Sequence, residues 1–456
     1  MLKNKWFLIC FLCVFGRSDW VAKVGTLTLF EKDFYTFFPK NEWRDIKDVE
    51  QKERVFFGFL KQSIAAYNAE SLGLQYRPGV VNKLDARFNM LLVNEYYMRH
   101  FLGTLIPHSS LMFCKQNLKK ELFVKHILLK TNKENPQQNK DVSFFSQQIK
   151  DSLLLGSSFE SLAVRHSEDP GVVQNRGALG WVSLGQTVPV FQDAVFGLCL
   201  GCVDVVQTEF GFHVIKVDSI RNSKYFGLDV NLYDDYAFRF STAYISSPLK
   251  ELAAEHDTLL IKTNKVQFRQ GALLEIIDLI EKEKVFVGGG RKNVDVLKIL
   301  ENYQKIVVSY NGNLLSGAWF AHKIKTSLHQ NVFYSSLEEI KREFYTIILR
   351  DIAFRRAVEL GLDQGFSFVS QYINIRSSVL EKAYLNFLIE SVVPPTPKEV
   401  EAYFVENNKK QQSLDVAYNS IKTILLQQKQ KQAKQLFLES IDSLENILIN
   451  KVWLDE

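Results

Sequence analysis

The sequence predicts an α+β multidomain protein. One compact unit, an antiparallel sheet with flanking helices in the order β-α-α-β-α-β-β, is inserted in a mostly helical frame. Three observations predict this. Residues 121–221 alternate short β-branched runs with amphipathic helical stretches. The segments on either side carry apolar residues at three- and four-residue steps. A weak internal repeat then relates one flank to the other at a spacing of about 288 residues.

Within 121–221 each element has a local cause. Leu122 to Lys130 has the apolar, β-branched content of a buried strand. A polar loop, Asn132 to Lys140, precedes a helix that Asp141 caps and that runs to about Leu155, with Val142, Phe145, Ile149 and Leu153 on one face. Gly156 stops it, and Ser158 caps a second helix from Phe159 to about Arg165. After the loop Ser167-Glu-Asp-Pro-Gly171, Ala178 to Ser183 reads as a strand and Val190 to Leu198 as a helix. Val203 to Val206 and Phe212 to Ile220 read as two last strands, joined through Thr208-Glu-Phe-Gly211.

Composition narrows the function. The chain has 456 residues, and 56 Lys+Arg against 51 Asp+Glu leave a net charge of +5. That is too little to support a nucleic-acid partner. Apolar residues at 46% and charged residues at 23% are ordinary globular values, which exclude general disorder and a polytopic membrane protein. At the N-terminus Lys3 and Lys5 precede an apolar run, Trp6 to Phe15, too short to span a bilayer. With Gly16 and Ser18 before Asp19 this predicts a secretory signal over 1–18, and no integral membrane segment after its removal. Cys199 and Cys202 have the spacing of a redox or zinc half-site with no second pair. Two inert thiols are the default reading, and a local disulfide in an oxidising compartment is the alternative.

Five blocks in 121–221 carry a family resemblance: Val124-Lys-His-Ile-Leu-Leu, Phe159-Glu-Ser-Leu-Ala with Ser167-Glu-Asp-Pro, Gly177-Ala-Leu-Gly-Trp, Gly185-Gln-Thr-Val-Pro-Val-Phe191, and Gln207-Thr-Glu-Phe-Gly-Phe-His-Val-Ile-Lys-Val217. Together, in this order and spacing, they resemble a parvulin-type peptidyl-prolyl cis-trans isomerase domain. The resemblance implies paired histidines, His126 and His213, with Asp169 near the rotating amide, and a substrate wall of Leu179, Thr187, Phe191 and Phe210. It implies no metal and no cofactor, since no bond is made or broken. Thr187 departs from the family, which usually has a large apolar residue there. The loop after the first strand offsets Lys133 and Lys140 with Glu134 and has no Arg, which argues against bidentate phosphate capture.

The flanks divide into 19–120, a helical region opening with a β-hairpin at Gly25-Thr26; 222–304, a mixed helical connection; and 305–456, a second helical region. Phe56, Ile64, Ala65, Ala69, Leu72, Gly73 and Leu74 match Phe344, Ile352, Ala353, Ala357, Leu360, Gly361 and Leu362. One residue out of register, Gly25 and Leu27 match Gly312 and Leu314. Thr396-Pro-Lys-Glu starts a helix, and a Lys- and Gln-rich helix is expected from about Tyr418 to Leu448. Gly288-Gly-Gly290 reads as a turn. The arrangement resembles the exported SurA-type and, less closely, PrsA-type parvulin chaperones. That implies a soluble periplasmic folding factor whose partners are unfolded exported polypeptides, outer-membrane β-barrel proteins among them.

Overall fold

A computed structural model describes residues 20–38, 42–43, 46–132, 136–246, 248–283, 286–287, 290–291, 296–326, 337–407, 413–443, 447–450 and 453. The proposed signal 1–18, the loop residues Lys133 and Glu134, and Gly288-Gly289 lie outside them. The chain divides into two compact units, one formed by 1–81 with 373–456 and the other by 82–372. Among the described residues no helix is long and apolar enough to cross a membrane.

The first unit opens with a hairpin, β1 (Trp20–Val24) and β2 (Leu27–Phe30), which turns through Gly25-Thr26. A strand from the far end of the chain, Ile447–Ile449, pairs antiparallel with β1 and makes it central. The helices Glu31–Phe37 and Val49–Ser71 follow the hairpin. Asp48 starts the second by accepting from the Glu50 N–H. Phe56, Leu60 and Ile64 lie on its buried face, as their spacing predicts. The Lys- and Gln-rich helix is Leu414–Asp442, shorter than expected. Ile447 to Ile449 leave the helical path because β1 offers backbone partners that a frayed helix end lacks.

In the second unit residues 120–222 form a four-stranded antiparallel sheet. Its strands are β3 (Lys120–Lys130), β4 (Ala178–Val182), β5 (Val203–Thr208) and β6 (Gly211–Asn222), in the order β4-β3-β6-β5. The helices Pro136–Leu154 and Phe159–His166 cover one face. There Ile127, Leu129, Ile149, Phe159, Ala163, Val172 and Val214 form a core. The helix Pro189–Gly197 packs on the other face with Leu122, Val124, Ile215 and Val217. This is the expected β-α-α-β-α-β-β order, with one addition and one correction. A short helix, Val172–Asn175, follows the Ser167–Gly171 loop. The loop expected over Asn132–Lys140 is mostly helix, so Asp141 lies inside a helix and does not cap it. Pro136 is suited to a first helical position, because it has no N–H to leave unpaired. Asn139 then ties the helix to the strand end, accepting from the Asn132 N–H at 2.9 Å and donating to the Asn132 carbonyl at 2.8 Å.

Beyond the sheet the chain is helical through Val230–Ser241, Leu249–Thr263 and Gln270–Glu283. A second hairpin, Ile306–Tyr310 with Asn313–Ser316, leads into the helices Gly317–Lys325, Leu337–Glu359 and Phe366–Glu390. Cys199 and Cys202 form a disulfide, with Cα atoms 5.3 Å apart. This corrects the default reading of two inert thiols. Gly201, at φ +80, folds Cys199-Leu-Gly-Cys202 into a tight turn, where the two side chains meet.

Candidate active site

Strand periodicity assembles the site. Successive side chains on a strand alternate faces, so His126, Leu128 and Lys130 share one face of β3. Leu128 pairs directly with His213 across the β3–β6 ladder, which puts His213 on that face beside His126. The outer edge of β3 is free of β4 beyond Lys125. The Ser167–Gly171 loop covers it instead. Ser167 Oγ accepts from the Leu128 N–H at 3.1 Å, the Glu168 N–H donates to the Leu128 carbonyl at 2.7 Å, and Glu168 Oε2 accepts from the Lys130 N–H at 2.5 Å. These bonds hold Asp169 over the histidines, and its Oδ2 accepts from the Gly171 N–H at 3.1 Å.

The result is a cavity of about 500 Å³ lined by His126, Leu128, Lys130, Thr131, Asp169, Pro170, Phe210 and His213. His126 and His213 are both buried, with their Nδ1 atoms 3.3 Å apart. His213 Nε2 lies 2.8 Å from Thr208 Oγ1, which accepts from the Phe210 N–H at 3.1 Å. Among the described residues His126 Nε2 has no hydrogen-bond partner, and it lies 3.9 Å from Asp169 Oδ2.

Physical chemistry selects one proton arrangement. An Nδ1–Nδ1 contact requires one ring to donate and the other to accept. A carboxylate facing His126 Nε2 favours an N–H there over a lone pair. His126 Nδ1 therefore accepts from His213 Nδ1–H, and His213 Nε2 accepts from the Thr208 hydroxyl. Both rings are held neutral. Burial pushes the His126 pKa down against the opposing pull of Asp169. Burial, then the neighbouring His126, pushes His213 down to about 4. The arrangement presents one buried N–H to a cavity with an apolar wall and one acidic rim residue.

His126, Asp169, His213 and Phe210 thus come together around the cavity. Phe191 is buried behind it, edge-on to both rings, with centroids 6.1 Å from His126 and 5.1 Å from His213. Leu179 is exposed and Thr187 half-buried, and neither lines this cavity. Sequence reasoning missed Leu128, Lys130, Thr131, Pro170 and Thr208. The first two were findable, because they follow His126 at the two-residue strand period.

Residues 110–221 match the family model described as the PPIC-type PPIASE domain. This segment is a parvulin-type peptidyl-prolyl cis-trans isomerase domain. The chain is also similar to several curated proteins. A foldase protein PrsA of Geobacillus sp. (strain WCH70) is 30% identical over 163 residues, covering 36% of this chain and 53% of the relative. A chaperone SurA of Chromohalobacter salexigens is 37% identical over 99 residues, 22% of each chain. A putative peptidyl-prolyl cis-trans isomerase Cbf2 of Campylobacter jejuni (strain 81-176) is 29% identical over 207 residues, 43% of this chain and 74% of the relative. The chain spans about half the length of the PrsA relatives it matches.

Proposed function

We propose that this protein is a periplasmic folding factor that isomerises X–Pro bonds in unfolded exported polypeptides and holds them on its helical frame. The observation that carries the reading is the neutral His126–His213 pair beneath the open cavity. Rotation about an X–Pro bond loses amide resonance and faces a barrier of ~18–20 kcal/mol. A catalyst must bind the twisted amide better than either planar isomer. Leu128, Pro170 and Phe210 offer an apolar seat for the proline ring and displace water, which stabilises the polar planar amide more than the twisted one. His126 Nε2–H and Asp169 stand where an imide would meet a donor on one side and an acceptor on the other. On this reading His126, Asp169 and His213 are the catalytic groups, and Phe191 positions the two rings.

Export is supported by the basic and apolar N-terminal pattern and by the Cys199–Cys202 disulfide, a bond that persists in oxidising compartments. Unfolded polypeptide clients are supported by the chaperone and foldase names of the relatives, and outer-membrane β-barrel proteins among them are part of the proposal.

A second reading, a holdase with a weak isomerase domain, draws on Thr187. Its Oγ1 is buried without a partner among the described residues, and it stands where the resembled family usually has a large apolar residue. Full-length protein assayed on a short X–Pro peptide and on an aggregating client separates the two. The expected result is clear acceleration, with Phe191→Ala lowering isomerisation at least ~10-fold while aggregation suppression stays near its original level. Suppression without any acceleration would leave the holdase.

A further inference from the structure

The parvulin domain carries a feature that isomerisation does not use, the Cys199–Cys202 disulfide. Its place in the chain is specific. The residues before it form the Pro189–Gly197 helix, which carries Phe191 to within 5.1 Å of the His213 ring. The residues after it form β5, which ends at Thr208, the hydrogen-bond partner of His213 Nε2. The disulfide therefore ties together two elements that each deliver one contact to the same histidine. We propose that Cys199–Cys202 is a thiol-exchange site that clamps the geometry around His213, opened by a dithiol reductant and remade by a disulfide oxidant.

Access fits this role. Cys199, Leu200 and Gly201 are exposed, and Cys202 is half-buried. An external thiolate reaches Cys199 Sγ from solvent. It forms a mixed disulfide there, and the S–S electron pair leaves on Cys202 as thiolate. The second thiol of the reductant attacks its own sulfur in the mixed disulfide and releases Cys199. Both cysteines take up protons, and the reductant departs as its disulfide. Backbone bonds survive this step. The Cys202 N–H donates to the Cys199 carbonyl at 3.1 Å, and the Gly201 N–H donates to the Val217 carbonyl at 2.7 Å. The turn thus stays attached to β6 when the sulfurs part, which makes the bond a clamp on local geometry and not the staple on which folding depends.

The surroundings also assign the direction of the chemistry. Cys199 lies just beyond the C-terminal end of the Pro189–Gly197 helix, where the helix dipole disfavours a thiolate. A disulfide whose thiolate form is disfavoured is a weak oxidant of other proteins' thiols, so the pair acts on its own domain. Cys114, the free cysteine among the described residues, is buried, with its thiol pushed up to about 12 by burial and then by Asp193, and takes no part.

The test uses full-length protein, oxidised, treated with dithiothreitol, and reoxidised. Two additional titratable thiols should appear under native conditions. The imidazole ¹⁵N shifts of His213 should move, and kcat/KM on an X–Pro peptide should fall about threefold or more and recover on reoxidation. A Cys199→Ser, Cys202→Ser double variant should resemble the reduced protein and ignore the reductant. No thiol release from native protein, or thiol release with unchanged His213 shifts and rates, overturns the clamp. The kinetic arm rests on the isomerase reading and the ¹⁵N arm does not. An oxidised protein with no isomerase activity would therefore count against that reading alone, and the His213 shifts would still decide the clamp.

Discussion

Each compact unit contains a β-hairpin that runs directly into helices, and the two hairpins match rung for rung. Val24 pairs with Leu27 in the first and Tyr310 with Asn313 in the second. The ladder irregularities fall at Trp20/Ala22 and at Ile306/Val308, again 286 residues apart. The closing strands take equivalent rungs, with Ala22 facing Ile449 and Val308 facing Phe268. Yet one closing strand comes from the end of the chain and the other from before its hairpin. Phe34 and Phe320 then fill the same fully buried place.

The chemistry of the two seams differs. Around Phe34 the first unit gathers Trp43, Phe59 and Trp453, with ring centroids at 4.8, 5.2 and 4.9 Å. The second unit stacks Phe320 on Phe344 at 3.9 Å and adds a buried carboxylate. Asp351 accepts from Lys323 Nζ at 2.7 Å, Arg355 Nε at 2.9 Å and the Tyr310 hydroxyl. Equivalent positions in the first unit hold Ser63, Phe37, Tyr67 and Val24. A hairpin-and-helix motif thus specifies backbone geometry but not the chemistry that seals it. Aromatic burial and a satisfied ionic cluster both suffice.

The largest expected effect tests the borrowed strand. Truncation after Ser443 removes Ile447–Ile449 and Trp453 and should abolish cooperative unfolding of the first unit in a denaturant titration. Trp453→Ala alone should cost ~3–5 kcal/mol. A small effect would mean the aromatic seam closes without its C-terminal member. Next, Asp351→Ala leaves Lys323 and Arg355 without their shared acceptor and should destabilise the second unit by roughly 3 kcal/mol. Wild-type stability at that position would make the ionic seam decorative.

Acid should separate the units more gently. Burial pushes the Asp351 carboxyl up, but Lys323, Tyr310 and Arg355 outweigh burial and hold it below its ordinary value. Its stabilisation is present above the ordinary carboxylate range and lost as pH falls through the lowered value. Asp33 in the first unit is shifted the other way, raised by burial against the Phe30 N–H and Lys32. Its protonated form is the favoured one when folded, so that contribution is full at low pH and lost as pH rises. His213, lowered to about 4, adds a stabilisation that falls between pH ~6.5 and 4. Hydrogen exchange from pH 7 to 3 should show the second unit loosening first, and the reverse order would refute this assignment.

The smallest effect should be equal in both units. Gly73 and Gly361 end their helices at φ +68; a Cβ would meet only ordinary contact with Tyr76 at 3.9 Å in the first and open space in the second. Alanine at either should cost about 1 kcal/mol, from backbone conformation alone. Unequal costs, read from urea midpoints, would show that the two helix ends are not equivalent.

Much of the candidate site was legible because its signals are local. His126, Leu128 and Lys130 share a strand face by period two, and Ser167 to Gly171 carry turn chemistry in five consecutive residues. Thr208 was not legible as the partner of His213, because the contact depends on how a tight hairpin aims two side chains. The repeat was legible in its helices at a spacing of 288 but misread in its hairpin. Matching Gly25 to Gly312 aligns identical residues, whereas the ladder makes Gly25 equivalent to Asn311. Glycine tolerates either turn position, so identity at a turn does not define register.

By itself the sequence determined the element order of the parvulin domain and the helical flanks, and it pointed to His126, Asp169, Phe210 and His213, since propensity and periodicity act over a few residues. Only the tertiary structure decided which distant strand closes each hairpin and which imidazole nitrogen is left facing Asp169. It also decided that Cys199 and Cys202 are bonded. Each of these depends on groups meeting after the chain has folded, where pairing, desolvation and distance outweigh local preference.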